Sequence, residues 1–121
     1  QHPAFEGLQG GGVLDLDWWG PVTPNRFFSG QRTPDEVVAA AFAMGYPCPG
    51  GYTSGVLLGR YGFGRGSFVL NAFPVLEQLD QHPAADGLLA NLLRWAGRLA
   101  RKPSARLPRG FGEDLQAIGY R

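Results

Sequence analysis

The chain reads VLLGRYGFGRGSFVLNAF from Val56 to Phe73. Two apolar runs, Val56 to Tyr61 and Ser67 to Phe73, are rich in residues that favour strands. Gly62-Phe63-Gly64-Arg65-Gly66 lies between them, and a loop of this length and glycine content closes a β-hairpin, because glycine reaches positive φ angles at little cost. The stretch therefore predicts two antiparallel strands joined by a short loop.

The apolar spacing changes from Pro83 onward. Leucines and alanines recur every three or four positions, which predicts one amphipathic helix of about four to five turns. Pro83 suits the first turn of a helix, and Pro103 would end it. We expect this helix to pack on the sheet, with a polar face opposite its leucines that holds Asp86, Asn91, Arg94 and Arg98.

The secondary structure of two further segments is less clear from their residues. Val13 to Trp19 alternates between apolar and polar positions, which predicts a half-buried strand. Thr33 to Gly45 begins like a capping box, with Pro34 at the first helical position, and its alanines also favour a helix. Val37, Val38 and Phe42 suit a buried strand instead, although the local pattern slightly favours the helix.

Composition places the chain among single globular domains. It has 121 residues, 44% hydrophobic and 17% charged, and its formal net charge of +1 gives no general attraction to nucleic acid or membranes. No apolar run reaches the about 18 residues of a membrane span. The one cysteine, Cys48, excludes an internal disulfide and a cysteine-rich zinc site. The chain begins with Gln1, so we expect a piece of a longer protein, and its compartment stays open.

Residues 51–95 consist of the stretch GYTSGVLLGRYGFGRGSFVLNAF, a short spacer and the stretch HPAADGLLANLLRW. This pattern resembles the C-terminal part of class I glutamine amidotransferase-like domains, as found in glycoside hydrolases of family 2 and other β-galactosidase-like proteins. HPAFEGL at the start of the chain and the Asp-Trp-Trp segment are similar to the middle of such domains.

The resemblance implies an α/β fold, namely the C-terminal half of a three-layer, flavodoxin-like sandwich with a β-hairpin and a closing amphipathic helix. Residues 1–101 would be that half domain and residues 102–121 a basic tail rich in proline and glycine. It also implies a strand over Val37 to Met44, against the capping-box pattern, and we adopt the strand. The strands and helices that normally precede this half would lie upstream.

Catalytic residues typical of the resembled family are missing from the chain. An active amidotransferase uses a cysteine on a tight strand-to-helix turn, with a histidine and a glutamate spaced His-x-Glu. Cys48 instead lies in a proline-bounded loop, and neither His2 nor His82 has a glutamate two residues later. We therefore predict no catalytic residue and interpret Cys48 as an inert loop thiol.

Asp15, Asp17, Trp18 and Trp19 are the candidate ligand-binding residues. On a strand the two carboxylates would lie on one face about 6.5–7 Å apart, which alone is weak support for a glycosidase pair. Stacking of a sugar on Trp18 or Trp19, helped by an aspartate, is the functional hypothesis. A structural use of these residues in the sheet or at an interface is the alternative, and the pattern favours it.

Other sites have weaker support. The loop from Gly62 to Gly66 lacks the Gly-Lys-Ser/Thr ending of a phosphate loop and joins two predicted strands. Six basic residues and no acidic one lie between Arg94 and Arg109, but Trp95 is the only aromatic among them, which indicates a solvated helix end and not a nucleic-acid site. No cluster has metal-ligand spacing, so we predict neither metal nor cofactor.

Taken together, the sequence predicts a non-catalytic accessory module of a carbohydrate-active enzyme. Its expected partners are the remainder of the parent polypeptide or a second copy, and a carbohydrate, with no nucleic acid and no membrane. Two alternatives stay open. One is a hydrolase whose catalytic residues lie in a missing N-terminal part, and the other is a stand-alone interaction domain that pairs through a sheet edge or through Trp18 and Trp19.

Overall fold

A computed structural model describes residues 1–10, 12–45, 48–100, 108–117 and 119. It combines helices with a three-stranded sheet, in the order β1-β2-β3. The strands are β1 (Glu36–Met44), β2 (Tyr52–Phe63) and β3 (Gly66–Asn71), and the helices are α1 (Leu16–Trp19), α2 (Pro83–Leu99) and α3 (Phe111–Ala117), with single 3-10 turns at Pro3–Phe5, Gly20–Val22, Pro49–Gly51 and Leu76–Gln78.

The predicted hairpin is confirmed. β2 and β3 pair antiparallel from Leu58 opposite Asn71 to Phe63 opposite Gly66. Gly64, at φ +56°, begins the turn between them, where a side chain would be strained. The loop is shorter than predicted because Phe63 and Gly66 already belong to the ladder. Tyr61 and Phe68 stack across it with ring centroids 5.0 Å apart.

The strand adopted for residues 37–44 is also confirmed, since Glu36–Met44 forms β1 and pairs antiparallel with β2. The capping-box residues make tertiary contacts instead of capping a helix. The Gly62 N–H donates to Asp35 Oδ2 over 2.5 Å, and the Arg60 Nε–H donates to Glu36 Oε2 over 3.0 Å. Because both carboxylates are held by β2, the segment gains more from the sheet than from helix capping.

The predicted amphipathic helix is α2, and it begins at Pro83 as expected. Two positions on it differ from the predicted faces. Asn91, placed on the polar face, is buried, and its amide donates to the carbonyls of Ala4 and Glu6 at 3.2 and 2.8 Å. Leu93, placed on the apolar face, is 65% exposed. The buried face of α2 is therefore rotated relative to the predicted one. It includes Asn91, which supplies a hydrogen-bond donor to the backbone carbonyls of the N-terminal segment.

The strand predicted for Val13 to Trp19 is wrong, because the segment forms the helical turn α1. Asp15 is its N-cap, with Oδ1 accepting from the Trp18 N–H over 2.7 Å. The alternating pattern was too short to exclude a helix, and an aspartate that caps its own backbone favours the turn. A 3-10 turn, Gly20–Val22, follows directly.

A single core joins the elements. Trp19, Val22, Leu58 and Leu88 are its largest fully buried side chains. A motif that occurs twice in the chain lies near this core: His-Pro-Ala, any residue, an acidic residue, Gly and Leu occupy residues 2–8 and again 82–88. In each copy the histidine Nδ1 accepts from the alanine N–H two residues later. Both alanines are fully buried, so the motif seats the start of a helical turn in the core.

The α/β class is supported at the level of mixed helices and strands, but every strand pairing in the described residues is antiparallel. The parallel strands of a flavodoxin-like sheet are therefore not among them. In the predicted tail, α3 lies at Phe111–Ala117 and Phe111 contacts Phe63 with centroids 4.7 Å apart. The basic positions at 101–107 lie outside the described residues. No helix in the described part of the chain has the length and apolar character needed to cross a bilayer.

Candidate functional site

The four candidate ligand-binding residues lie together on and beside α1, but they do not form one exposed surface. Trp19 is fully buried, and its indole N–H donates to the Gln9 carbonyl over 3.0 Å. Its ring cannot offer a face to a sugar in this conformation. Asp15 uses one carboxylate oxygen to cap α1, while Asp17 is exposed in the first turn.

Of the two tryptophans, Trp18 is the one that keeps some exposure. Its ring packs edge-on against Trp19 at 5.1 Å between centroids and against His82 at 6.3 Å. It is half-buried, so part of the indole stays accessible beside the exposed Asp17. The pair Trp18 and Asp17 is therefore what remains of the predicted sugar-stacking surface.

A larger feature is an open cleft of about 880 Å³ between the N-terminal segment and β1. The volume lies in the range of small-molecule sites, about 300–1,000 Å³. Its walls are mainly apolar and include Phe5, Leu14, Trp19, Val38 and Leu57. The described residues that line it carry no carboxylate and no lysine or arginine; their polar side chains are Gln1, His2, Gln9 and Thr23.

Thr23 is the most informative polar group in the cleft. Its hydroxyl oxygen is buried and has no hydrogen-bond partner among the described residues. Buried hydroxyls are normally paired, since an unpaired one loses its bonds to water without replacement. Because the cleft is open, a water molecule, a ligand or a partner segment at this point would each satisfy it.

His2 connects the cleft to the sheet. Its Nδ1 accepts from the Ala4 N–H over 3.1 Å, so Nε2 carries the ring proton and donates to Glu36 Oε1, also over 3.1 Å. Glu36 in turn accepts from Arg60, and the His2 ring lies edge-on to Trp95 at 4.8 Å. Three elements are thus tied to the N-terminus, which holds one wall of the cleft in place.

This network was missed because its members are far apart in sequence. Glu36 was interpreted as part of a local capping box, and Arg60 was given no role within the predicted strand Val56 to Tyr61. The repeated His-Pro-Ala motif was the available signal, since the bonding of His82 to Ala84 mirrors that of His2 to Ala4. The link from His2 to Glu36 depends on tertiary packing that no local pattern encodes.

The surroundings of Asp35 shift the pKa of its carboxyl group. The Gly62 N–H bond, and then the charge of Arg32 beside it, hold the pKa of this carboxyl below its ordinary value of 3.8, although partial desolvation opposes them. Arg32 Nη2 lies 2.8 Å from Asp35 Oδ1. Asp35 is therefore an ionised link between the segment before β1 and the end of β2.

The remaining candidates lie apart from the cleft. Cys48 is in a backbone-bonded turn, where its N–H donates to the Gly45 carbonyl and its carbonyl accepts from Gly51. No group of three His, Cys, Asp or Glu side chains in the described residues is placed to hold a metal ion. The Gly62–Gly66 segment is part of a hairpin, with no helix following it.

Comparisons with protein-family models, with curated proteins and with solved structures found no match. The likeness to amidotransferase-like domains therefore rests on the residues quoted above, chiefly 51–95. What it implies for function is a proposal.

Proposed function

We propose that the chain is a non-catalytic accessory module of a carbohydrate-active enzyme, which contributes to assembly or substrate access. The observation that carries this proposal is the open cleft beside β1. Its volume of about 880 Å³ and its apolar walls suit binding, and its described lining offers no carboxylate for acid-base hydrolysis. The link to carbohydrate comes from the resemblance of residues 51–95.

The sheet supports a role inside a larger assembly. Among the described strands, β1 and β3 each have one neighbour, β2, so each has an outer edge without a pairing partner. β3 leads through a 3-10 turn into α2, as a strand does in a β-α unit. A parallel strand from elsewhere in the parent polypeptide could join at the outer edge of β3, and this is how the proposed flavodoxin-like sandwich would be completed.

Sugar contact is proposed at Trp18, with Asp17 beside it. Half of the surface predicted from sequence is lost with Trp19, so we expect weak binding through one stacked ring. Titrating the chain with soluble galacto-oligosaccharides and following tryptophan fluorescence tests this. Trp18→Ala should abolish the change and Asp17→Asn should weaken it, while Leu93→Ala, on an exposed part of α2, should leave it intact. An unaltered response of Trp18→Ala would remove Trp18 from the proposal.

The accessory role is tested on the longer protein that would carry this chain, with and without residues 1–121. We expect the shortened protein to keep its glycosidase kcat per active site. We expect it to differ in the number of subunits that associate in solution, or in its KM for long substrates. Loss of kcat in a shortened protein that stays folded would contradict the proposal. That result would favour the alternative in which the parent hydrolase uses this half of the domain to complete its active site.

A further inference from the structure

The outer edge of β1 is unusual for its apolar character. From Val37 to Met44 the strand has no charged residue, and no described residue pairs with its outer edge. Edge strands are normally protected by charges, prolines or irregularities, because their free N–H and C=O groups pair readily with another strand. β1 has register irregularities only between Val37 and Ala40, and its second half, Ala40 to Met44, pairs regularly with β2.

The regular half of β1 also exposes large apolar side chains. Phe42 is 62% exposed and Met44 is 73% exposed, and both lie on the same side of the strand as Ala40. Tyr52 of β2, 62% exposed, stacks on Phe42 with centroids 5.8 Å apart. Together Ala40, Phe42, Met44 and Tyr52 form an apolar patch that continues the free strand edge.

We infer that two copies of this chain associate by antiparallel pairing of their β1 edges, with Phe42 on the two-fold axis. In this register Ala40 of each copy faces Met44 of the other, and the two Phe42 rings face each other. Aromatic pairs directly opposite across strands are stabilising, and the pairing places no like charges together because the paired stretch has none. The two sheets would become one continuous sheet of six strands.

A second copy fits this edge better than the rest of the parent polypeptide does. In the proposed function, on which this choice rests, the parent sheet continues from β3, which lies at the opposite side of the sheet from β1. The β1 edge then stays free. A two-fold dimer requires a patch that is complementary to itself, and an uncharged strand with a large side chain at the centre of its regular half satisfies this requirement.

A charge-exchange experiment tests the inference. Light scattering after size exclusion should give the 121-residue chain twice the 13.1 kDa of one copy. Phe42→Lys and Phe42→Glu should each be monomeric, because each places two like charges on the axis. An equal mixture of the two variants should restore the dimer. Leu93→Lys, an equally drastic change at an exposed leucine of α2, should stay dimeric.

Each result decides the matter. A monomeric unmodified chain, or a dimer that persists in Phe42→Lys, overturns the inference, and so does a mixture that stays monomeric. Should the charged variants fail to fold, as judged by circular dichroism, Phe42→Cys in a Cys48→Ser background gives the answer. It should form an interchain disulfide on oxidation, whereas Leu93→Cys should not. These outcomes are independent of glycosidase activity, so the dimer can fail while the accessory function stands.

Discussion

Trp18 and Trp19 are neighbours in sequence with opposite roles. Trp19 is fully buried, contacts Phe5 and Phe73, and holds the Gln9 carbonyl, while Trp18 lies half-buried over it. Because a dimer test at Trp19 would remove part of the core, a loss of association in Trp19→Ala would report unfolding and not an interface. Substitutions of surface residues such as Phe42 avoid this ambiguity.

We expect Trp19→Ala to lower the free energy of unfolding by about 3–5 kcal/mol, as for other large aromatic side chains deleted from a core. This is a large share of the about 5–15 kcal/mol that stabilises a typical domain. Trp18→Ala should cost less, since its ring is only half-buried. Urea unfolding followed by circular dichroism measures both. Equal losses in the two variants would contradict the burial described for Trp19.

Two glycines of α2 offer a matched comparison. A Cβ at Gly97 would meet nothing within 4 Å, whereas a Cβ at Gly87 would lie 2.5 Å from Leu8 Cδ2. Gly97→Ala should therefore stabilise the chain by about 0.5–1 kcal/mol through helix propensity. Gly87→Ala should gain less or lose stability, because Leu8 must move. In a Leu8→Ala background the gain at position 87 should reappear, and its absence would show that Leu8 does not pack on α2.

At the scale of elements, Asp35 joins the segment before β1 to the end of β2. The Gly62 N–H, and then Arg32, lower its pKa in the folded chain. A carboxyl with a lowered folded pKa adds stability above its unfolded pKa, and this contribution disappears as the pH falls through the folded value. Asp35 should therefore stabilise the chain at neutral pH and lose this effect below its ordinary value of 3.8.

Asp35→Asn tests that link, since the amide oxygen can still accept from Gly62 but carries no charge. The thermal midpoint of the unmodified chain should exceed that of the variant at neutral pH, and the difference should shrink as the pH falls below 3.8. Asp80→Asn, which changes an exposed carboxylate elsewhere, is the control. A difference that stays constant with pH would mean that ionised Asp35 contributes nothing to the link.

Elements with a sustained pattern were predictable from sequence, and short ones were not. The hairpin and α2 repeat their spacing over many residues, so their type was evident. Val13 to Trp19 is too short for alternation to decide, and the cap at Asp15 decided against the strand. Asn91 was assigned to the polar face of α2 because its partners, the carbonyls of Ala4 and Glu6, are remote in sequence. The cleft was invisible for the same reason.

For β1 the local pattern and the resemblance disagreed, and the resemblance favoured the structure that formed. The strand forms because of tertiary contacts, since the Glu36 carboxylate accepts hydrogen bonds from both Arg60 and His2. The candidate site was predictable only in part. The predicted strand would have placed Trp19 on one face with Asp15 and Asp17 and Trp18 on the other face, whereas the helical turn buries Trp19 and leaves Trp18 half-buried.

At the scale of the whole molecule, an antiparallel three-stranded sheet, whose two outer edges are unpaired within the described part of the chain, is joined to a helix and an N-terminal segment. Three features point toward partners, namely the cleft, the free edges and the exposed apolar patch at Phe42. The proposed function treats the first as a binding surface, and the inferred dimer uses the third. The two surfaces meet, because Ala40 and Phe42 also line the cleft, so a second copy at the β1 edge would cover part of the cleft opening. Both follow from the way β1 lies at the edge of the sheet.

The complete reading frame that encodes this chain is the most direct test of the accessory-module proposal. We predict that a glycosidase catalytic domain precedes residues 1–121 in the same frame, followed by the parallel strands that would extend the sheet from β3. A frame that encodes these residues alone, or one that places a cysteine on a strand-to-helix turn upstream, would contradict the proposal.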